Sequence, residues 1–179
     1  NLERAGMLLP ERSGALPRAE LGEVLAEETL LGAYAFEPYK QRNAGKEPPK
    51  AELKAVTLYD PDRVSSAASV QSGVVRGEAV CLARDLGNQP ANAMTPTQLA
   101  AEARTVARRH GLKLKVLEKP ALQKLGLGLF MGVAKGSRQP PKLILLEYRP
   151  ARAARQTLAF GGKGSTFDSG GISLKPGLA

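Results

Sequence analysis

The sequence is poor in the residues that build the commonest reactive centres. It has one cysteine, Cys81, and one histidine, His110, in 179 residues. A single cysteine excludes an internal disulfide and a thiolate metal cage. A single histidine excludes a multi-histidine metal site. Tryptophan is absent and aromatics make up only 4% of the chain, so aliphatic side chains must fill any core. No apolar run approaches the roughly 20 residues of a membrane helix. The opening "NLERAGMLLPERSG" carries charges on both sides of a very short apolar patch, unlike a secretory signal. A cytoplasmic setting without membrane contact is the simplest expectation.

Positive charge is not lacking. Lys plus Arg outnumber Asp plus Glu by 26 to 17, a formal charge of +9. Such a balance admits acidic partners. The basic residues are scattered, however, with no run beyond pairs such as Arg108–Arg109, and few aromatics lie among them. Nucleic-acid binding is therefore disfavoured as the main function.

Apolar periodicity divides the chain. Residues 1–18 show no clear period. Leu21, Val24, Leu25, Leu31 and Ala35 fall close to helical spacing across 19–36, and a polar, Pro-containing loop follows. "LKAVTLYD" alternates and predicts a strand at 53–59, with Asp60 as an N-cap and Pro61 at the first helical position. Val75, Ala79, Leu82 and Leu86 then mark one face of a long helix over 64–86. "GNQPANAM" interrupts it. Thr95, Pro96 and Gln98 spell a capping box for a helix that ends at Gly111. Beyond it come a strand at 112–118, a short helix at 119–126, an apolar segment at 127–137, and strands at 142–148 and 157–162. Strands separated by helices predict an α/β layer with a central, mainly parallel or mixed sheet.

The strand "TLAF" runs into "GGKGSTFDSGG", where glycines surround Lys163 and Asp168. In open α/β sheets ligands gather at the carboxyl ends of strands. A phosphate loop needs G-x-x-x-x-G-K-[ST]. That pattern fails, because Lys163 is followed by Gly164 and Thr157 stands where the first glycine belongs. Ser169 has no histidine partner in the pattern, which argues against a serine hydrolase. A surface Lys–Asp pair in a glycine-rich turn is worth only ~0–1 kcal/mol. A metal centre is the other reading: a carboxylate can bridge two divalent cations roughly 3.5–4 Å apart. A lysine ligates only when neutral, a state favoured by desolvation and a nearby dication. Lys175, in "SLKPG", could stay cationic and hold a substrate carbonyl. The residues alone leave the last two readings open.

"GGKGSTFDSGGISLKP" resembles the signature of the leucyl aminopeptidase (cytosol aminopeptidase) family. "CLARDLGNQPANAMTPTQLA" (81–100) is similar to the segment that enters that family's catalytic domain. "KLILLEY" and "LLGAYAFEPYK" also match, in the family's order. The resemblance implies three parts: a remnant of the N-terminal α/β domain (1–63), a linking helix (64–87) and the start of the catalytic α/β domain (88–179). It implies a metal-dependent aminopeptidase that releases N-terminal residues, leucine preferred, by means of a two-metal activated water. Lys163 would bind one metal and Asp168 would bridge both. Lys175 would polarise the scissile carbonyl. The implied metals are zinc, manganese or magnesium, with bicarbonate as a proton shuttle, peptides as substrates and a homo-hexamer as the assembly. The family's remaining ligands lie in an aspartate-bearing helix and an N-T-D-A-E-G-R motif that this sequence does not contain. The expectation is a central piece, truncated at both ends, inactive alone and dependent on a missing C-terminal part. The alternative is a non-catalytic interaction or DNA-binding module. His110, at a helix end where a cation suits the dipole, and Cys81, a small core residue, carry no expected chemistry. Asn88 and Asn92 are read as turn residues that support the site if the resemblance holds.

Overall fold

The computed structural model of the chain describes residues 3–10, 16–40, 53–61, 67–150 and 156–166. These fall into two compact units, Asn1–Asn88 and Gln89–Ala179. Both are α/β, as the alternation of periods predicts.

In the first unit β1 (Arg4–Leu8) and β2 (Ala55–Tyr59) pair in parallel, with Arg4 opposite Ala55 and Leu8 opposite Tyr59. A 3-10 turn (Arg18–Glu20) leads into α1 (Leu21–Ala33), so a helix separates the paired strands, as parallel pairing demands. In β2 the half-buried residues are Val56 and Leu58, which reproduces the expected alternation. The strand β1 was not expected. "RAGML" has no β-branched residue and all five positions are exposed, so the strand owes its form to the β2 ladder rather than to local propensity.

The long helix α2 (Ala67–Asn88) packs against α1. The helix is described from Ala67 and Pro61 stands in a turn; residues 62–66, over which Asp60 was expected to act as a cap, lie outside the described residues. The buried face of α2 also differs from expectation. Val75 and Leu82 are 56% and 39% exposed, while the buried residues are Gly73 and Gly77. A Cβ built on Gly73 would stand 2.0 Å from the carbonyl oxygen of Glu23. One built on Gly77 would stand 2.8 Å from Leu30 Cδ1. The missing side chains let the two backbones approach more closely than interdigitating aliphatic rows permit.

α2 also covers the open carbonyls at the end of α1. Cys81 Sγ lies 3.9 Å from the carbonyl oxygen of Leu30, and Arg84 Nη1 donates to that of Leu31 at 3.3 Å. The guanidinium of Arg84 also stacks 3.9 Å from the centroid of the Tyr34 ring. The Tyr34 hydroxyl donates to Asp85 Oδ1 at 2.8 Å and accepts from Asn88 Nδ2 at 3.0 Å. Partial desolvation, followed by the bond to Asp85, raises the Tyr34 phenol above its usual range. A raised value stabilises the folded state below the phenol's unfolded value, and the contribution is lost as pH rises through the folded value. The stability difference between wild type and Tyr34→Phe should therefore shrink as the medium becomes more alkaline. Melting curves across the phenol titration range check this, and a pH-independent difference would contradict it.

The second unit begins at a turn in which Ala93 and Met94 both donate their N–H to the Pro90 carbonyl at 2.9 Å. Thr95 then caps α3 (Pro96–His110), accepting from the Gln98 N–H at 3.3 Å. The reciprocal half of the expected capping box does not form, because the Gln98 side chain donates forward to Glu102 at 2.9 Å. Gly111 ends the helix at φ 64°, in the left-handed region that glycine tolerates best. Thr95→Ala should cost about 1 kcal/mol, read as a lower denaturation midpoint.

β3 (Lys113–Leu117), α4 (Lys119–Lys124), α5 (Gly128–Ala134) and β4 (Leu143–Glu147) complete the described elements. The segment 127–137, expected only to be apolar, is thus partly helical. β4 pairs with β3 antiparallel, with Leu117 opposite Leu143. The two short helices turn against each other near Gly126 (φ 69°) and return the chain to the end at which β3 finished. The described sheets are therefore one parallel and one antiparallel pair. Leu122 is fully buried, Ala100 and Ala107 turn inward from α3, and Lys142 is paired with Glu118. The expected strand at 157–162 does not form. Leu158 and Phe160 are 80% and 95% exposed, and no described strand supplies that segment with a ladder.

Candidate functional site

The glycine-rich stretch enters the described chain as an extended segment, residues 156–166, without helix or strand. Lys163 lies on it with its side chain exposed. Its neighbours Gly161 and Gly162 have no non-adjacent atom within 4 Å of a built Cβ, so the backbone beside the lysine is open. On the other side, Gly164 approaches α3: its Cβ position lies 3.4 Å from Leu99 Cδ2, an ordinary contact. One flank of Lys163 is thus seated on a helix and the other faces free space.

Asp168, Ser169 and Lys175 lie outside the described residues, so Lys163 alone of the expected site residues has a described position. Among the described residues no group of three or more His, Cys, Asp or Glu side chains is placed to hold a metal. The donor types nevertheless suit a dication. A neutral amine and a carboxylate are a nitrogen and an oxygen ligand, within the range zinc and manganese accept.

The remaining candidates have plain structural settings. His110 is exposed in the last turn of α3, behind Arg108 and Arg109. Cys81 is half-buried against α1. Asn92 sits exposed in the turn before α3, and Asn88 joins the Tyr34 cluster at the end of α2. That cluster of Tyr34, Arg84, Asp85 and Asn88 escaped the sequence reading. Tyr34 lies about fifty residues from the other three, whose only local signal is the i, i+3/i+4 spacing of Asn88 from Asp85 and Arg84 on one helix.

Residues 81–179 match the sequence profile of the cytosol aminopeptidase family, catalytic domain. The chain belongs to the cytosol aminopeptidase family. The match holds the described segment with Lys163 and runs on through Asp168 and Lys175. A probable cytosol aminopeptidase of Alkaliphilus metalliredigens is 42% identical over 162 residues, covering 88% of this chain and 32% of its own. Its counterpart in Syntrophotalea carbinolica is 42% identical over 177 residues, covering 98% of this chain and 36% of its own. The chain therefore spans about a third of the length of these cytosol aminopeptidases. Among solved structures, the bottromycin maturation enzyme BotP in complex with Mn superposes with a TM-score of 0.69 at 33% identity, over 83% of this chain and 30% of that one. A tomato leucine aminopeptidase mutant gives a TM-score of 0.68 at 22% identity over 87% of this chain and 31% of its own, a likeness of fold. Among the described residues no helix is long and apolar enough to cross a membrane.

Proposed function

We propose that residues 88–179 belong to the catalytic part of an aminopeptidase that removes N-terminal residues, leucine preferred, from peptides. The observation that carries this reading is the unbroken "GGKGSTFDSGGISLKP" stretch within a family match that runs from 81 to 179. Lys163 and Asp168 would hold divalent metal, zinc, manganese or magnesium, and the manganese in the similar enzyme BotP supports manganese among these. When bound, such ions supply Lewis acidity and water of lowered pKa.

The chain's own residues do the rest. Lys163 must be uncharged to ligate, and the open backbone at Gly161 and Gly162 on one side of it leaves room for an ion and a substrate to approach. Asp168 offers two oxygens and so can serve two partners at once. Lys175, cationic, is the electrophile: its ammonium would face the scissile carbonyl oxygen and stabilise the negative charge that develops there. Bicarbonate as a proton shuttle, a homo-hexamer and a cytoplasmic location belong to the same reading.

Two protein donors fall short of the four or more that each cation takes. The 179-residue chain with manganese and leucine p-nitroanilide is therefore expected to show no turnover, while a polypeptide of the relatives' full length is expected to be active. Turnover by the chain alone would overturn the donor count. No turnover by the long form with zinc, manganese or magnesium would overturn the aminopeptidase reading.

A further inference from the structure

Within the second unit, the start of α4 and the loop after α5 enclose a depression of about 450 Å³. Three cations line it: Lys119, the first residue of α4; Lys135, which follows α5; and Arg138 in the loop. Gln123, Ser137 and Gln139 add polar groups, and no carboxylate is among the lining residues. All three cations are exposed, and none has an ion pair among the described residues. The nearest acid in sequence, Glu118, is taken by Lys142. None of the lining residues belongs to the glycine-rich stretch that carries Lys163.

Like charges around one concavity repel each other and focus a positive potential into it. The loop that carries two of them is braced. Ser137 N–H donates to the Ala134 carbonyl at 3.1 Å, and Gln139 N–H donates to Ser137 Oγ at 3.0 Å. Pro140 and Pro141 then fix the backbone, with Pro141 buried. A braced loop loses little freedom when a ligand arrives. The volume falls in the range of small-molecule sites, roughly 300–1,000 Å³. The cations surround a hollow rather than forming a stripe along one face, which favours a compact ligand over a nucleic-acid strand.

We propose that this depression binds a small, multiply charged oxyanion, held by Lys119, Lys135 and Arg138. Phosphate and carboxylate groups share the chemistry, and Arg138 can engage either one through two parallel hydrogen bonds. Calorimetry on the chain at low salt, with pyrophosphate in one arm and citrate in the other, tests the site and separates the two sources. Saturable binding is expected in at least one arm. Lys119→Ala/Lys135→Ala/Arg138→Ala should weaken it by about tenfold or more. A charge-matched control on α3, Arg104→Ala/Arg108→Ala/Arg109→Ala, should weaken it markedly less, because these arginines line no part of the depression and make no direct hydrogen bond to the anion. On the wild-type chain, the bound anion should protect the Lys119 and Lys135 amines from acetylation more than those of Lys113 and Lys115. No saturable heat in either arm, equal loss in both variants, or uniform labelling would overturn the proposal.

Discussion

Gly73→Ala should be the most destabilising single-methyl substitution in the first unit. The added Cβ would meet the Glu23 carbonyl oxygen at 2.0 Å, the Glu23 carbonyl carbon at 2.8 Å and Ala26 Cβ at 3.0 Å. The first two are backbone atoms in α1 and cannot swing aside as a side-chain tip can. Relief requires the helices to separate, which would loosen the Ser69–Ala19, Cys81–Leu30 and Arg84–Leu31 contacts together. Alanine gains up to ~1 kcal/mol over glycine in helix propensity. Overpacking costs about 1–3 kcal/mol and sometimes more, and the rigidity of the opposing atoms puts this case at the upper end. The expected net loss is about 2 kcal/mol or more, read from urea denaturation. Gly87→Ala, near the end of the same helix and with nothing within 4 Å, is the control and should be neutral or slightly stabilising. Equal stability of the two variants would show that the helix contact is looser than described.

Lys175→Ala should lower kcat by about 10²–10³-fold, the usual consequence of removing one group that stabilises a developing oxyanion. The assay belongs on a polypeptide of the relatives' full length, for which the proposed function expects activity. If Lys175 is the electrophile, its removal leaves metal content unchanged, because the side chain ligates nothing. Asp168→Ala should behave differently: metal content falls along with activity, since the shared carboxylate is lost. Elemental analysis beside steady-state kinetics separates the roles. Full kcat in Lys175→Ala, or full metal occupancy in Asp168→Ala, would remove the corresponding assignment.

Features encoded by adjacent residues were legible in the sequence. Thr95 before Pro96 and Gly111 after His110 mark both ends of α3, because a cap is a contact across three or four residues. The alternation in "LKLKVLE" marks β3 for a similar reason. Features that depend on remote partners were not legible. β1 forms on β2 without a signal of its own. The packing face of α2 was assigned to Val75, Ala79, Leu82 and Leu86, because periodicity weights side-chain apolarity and a glycine contributes none. Close backbone approach at Gly73 and Gly77 decides it instead. "TLAF" has the composition of a strand, but a strand also needs a neighbour to bond with. The candidate site was legible as a contiguous word, which placed Lys163 within a matched family domain. Asp168 and Lys175 remain assignments by resemblance, since they lie outside the described residues.

The pairing of β1 with β2 has a consequence for synthesis. The strand β1 can pair with β2 only after all of α1 and the residues between it and Ala55 have been made. During translation the ladder between Arg4–Leu8 and Ala55–Tyr59 cannot form until the second of these segments has left the ribosome. That interval is when a chaperone or a neighbouring nascent chain has its best access to the strand, and slower elongation between the two would lengthen it.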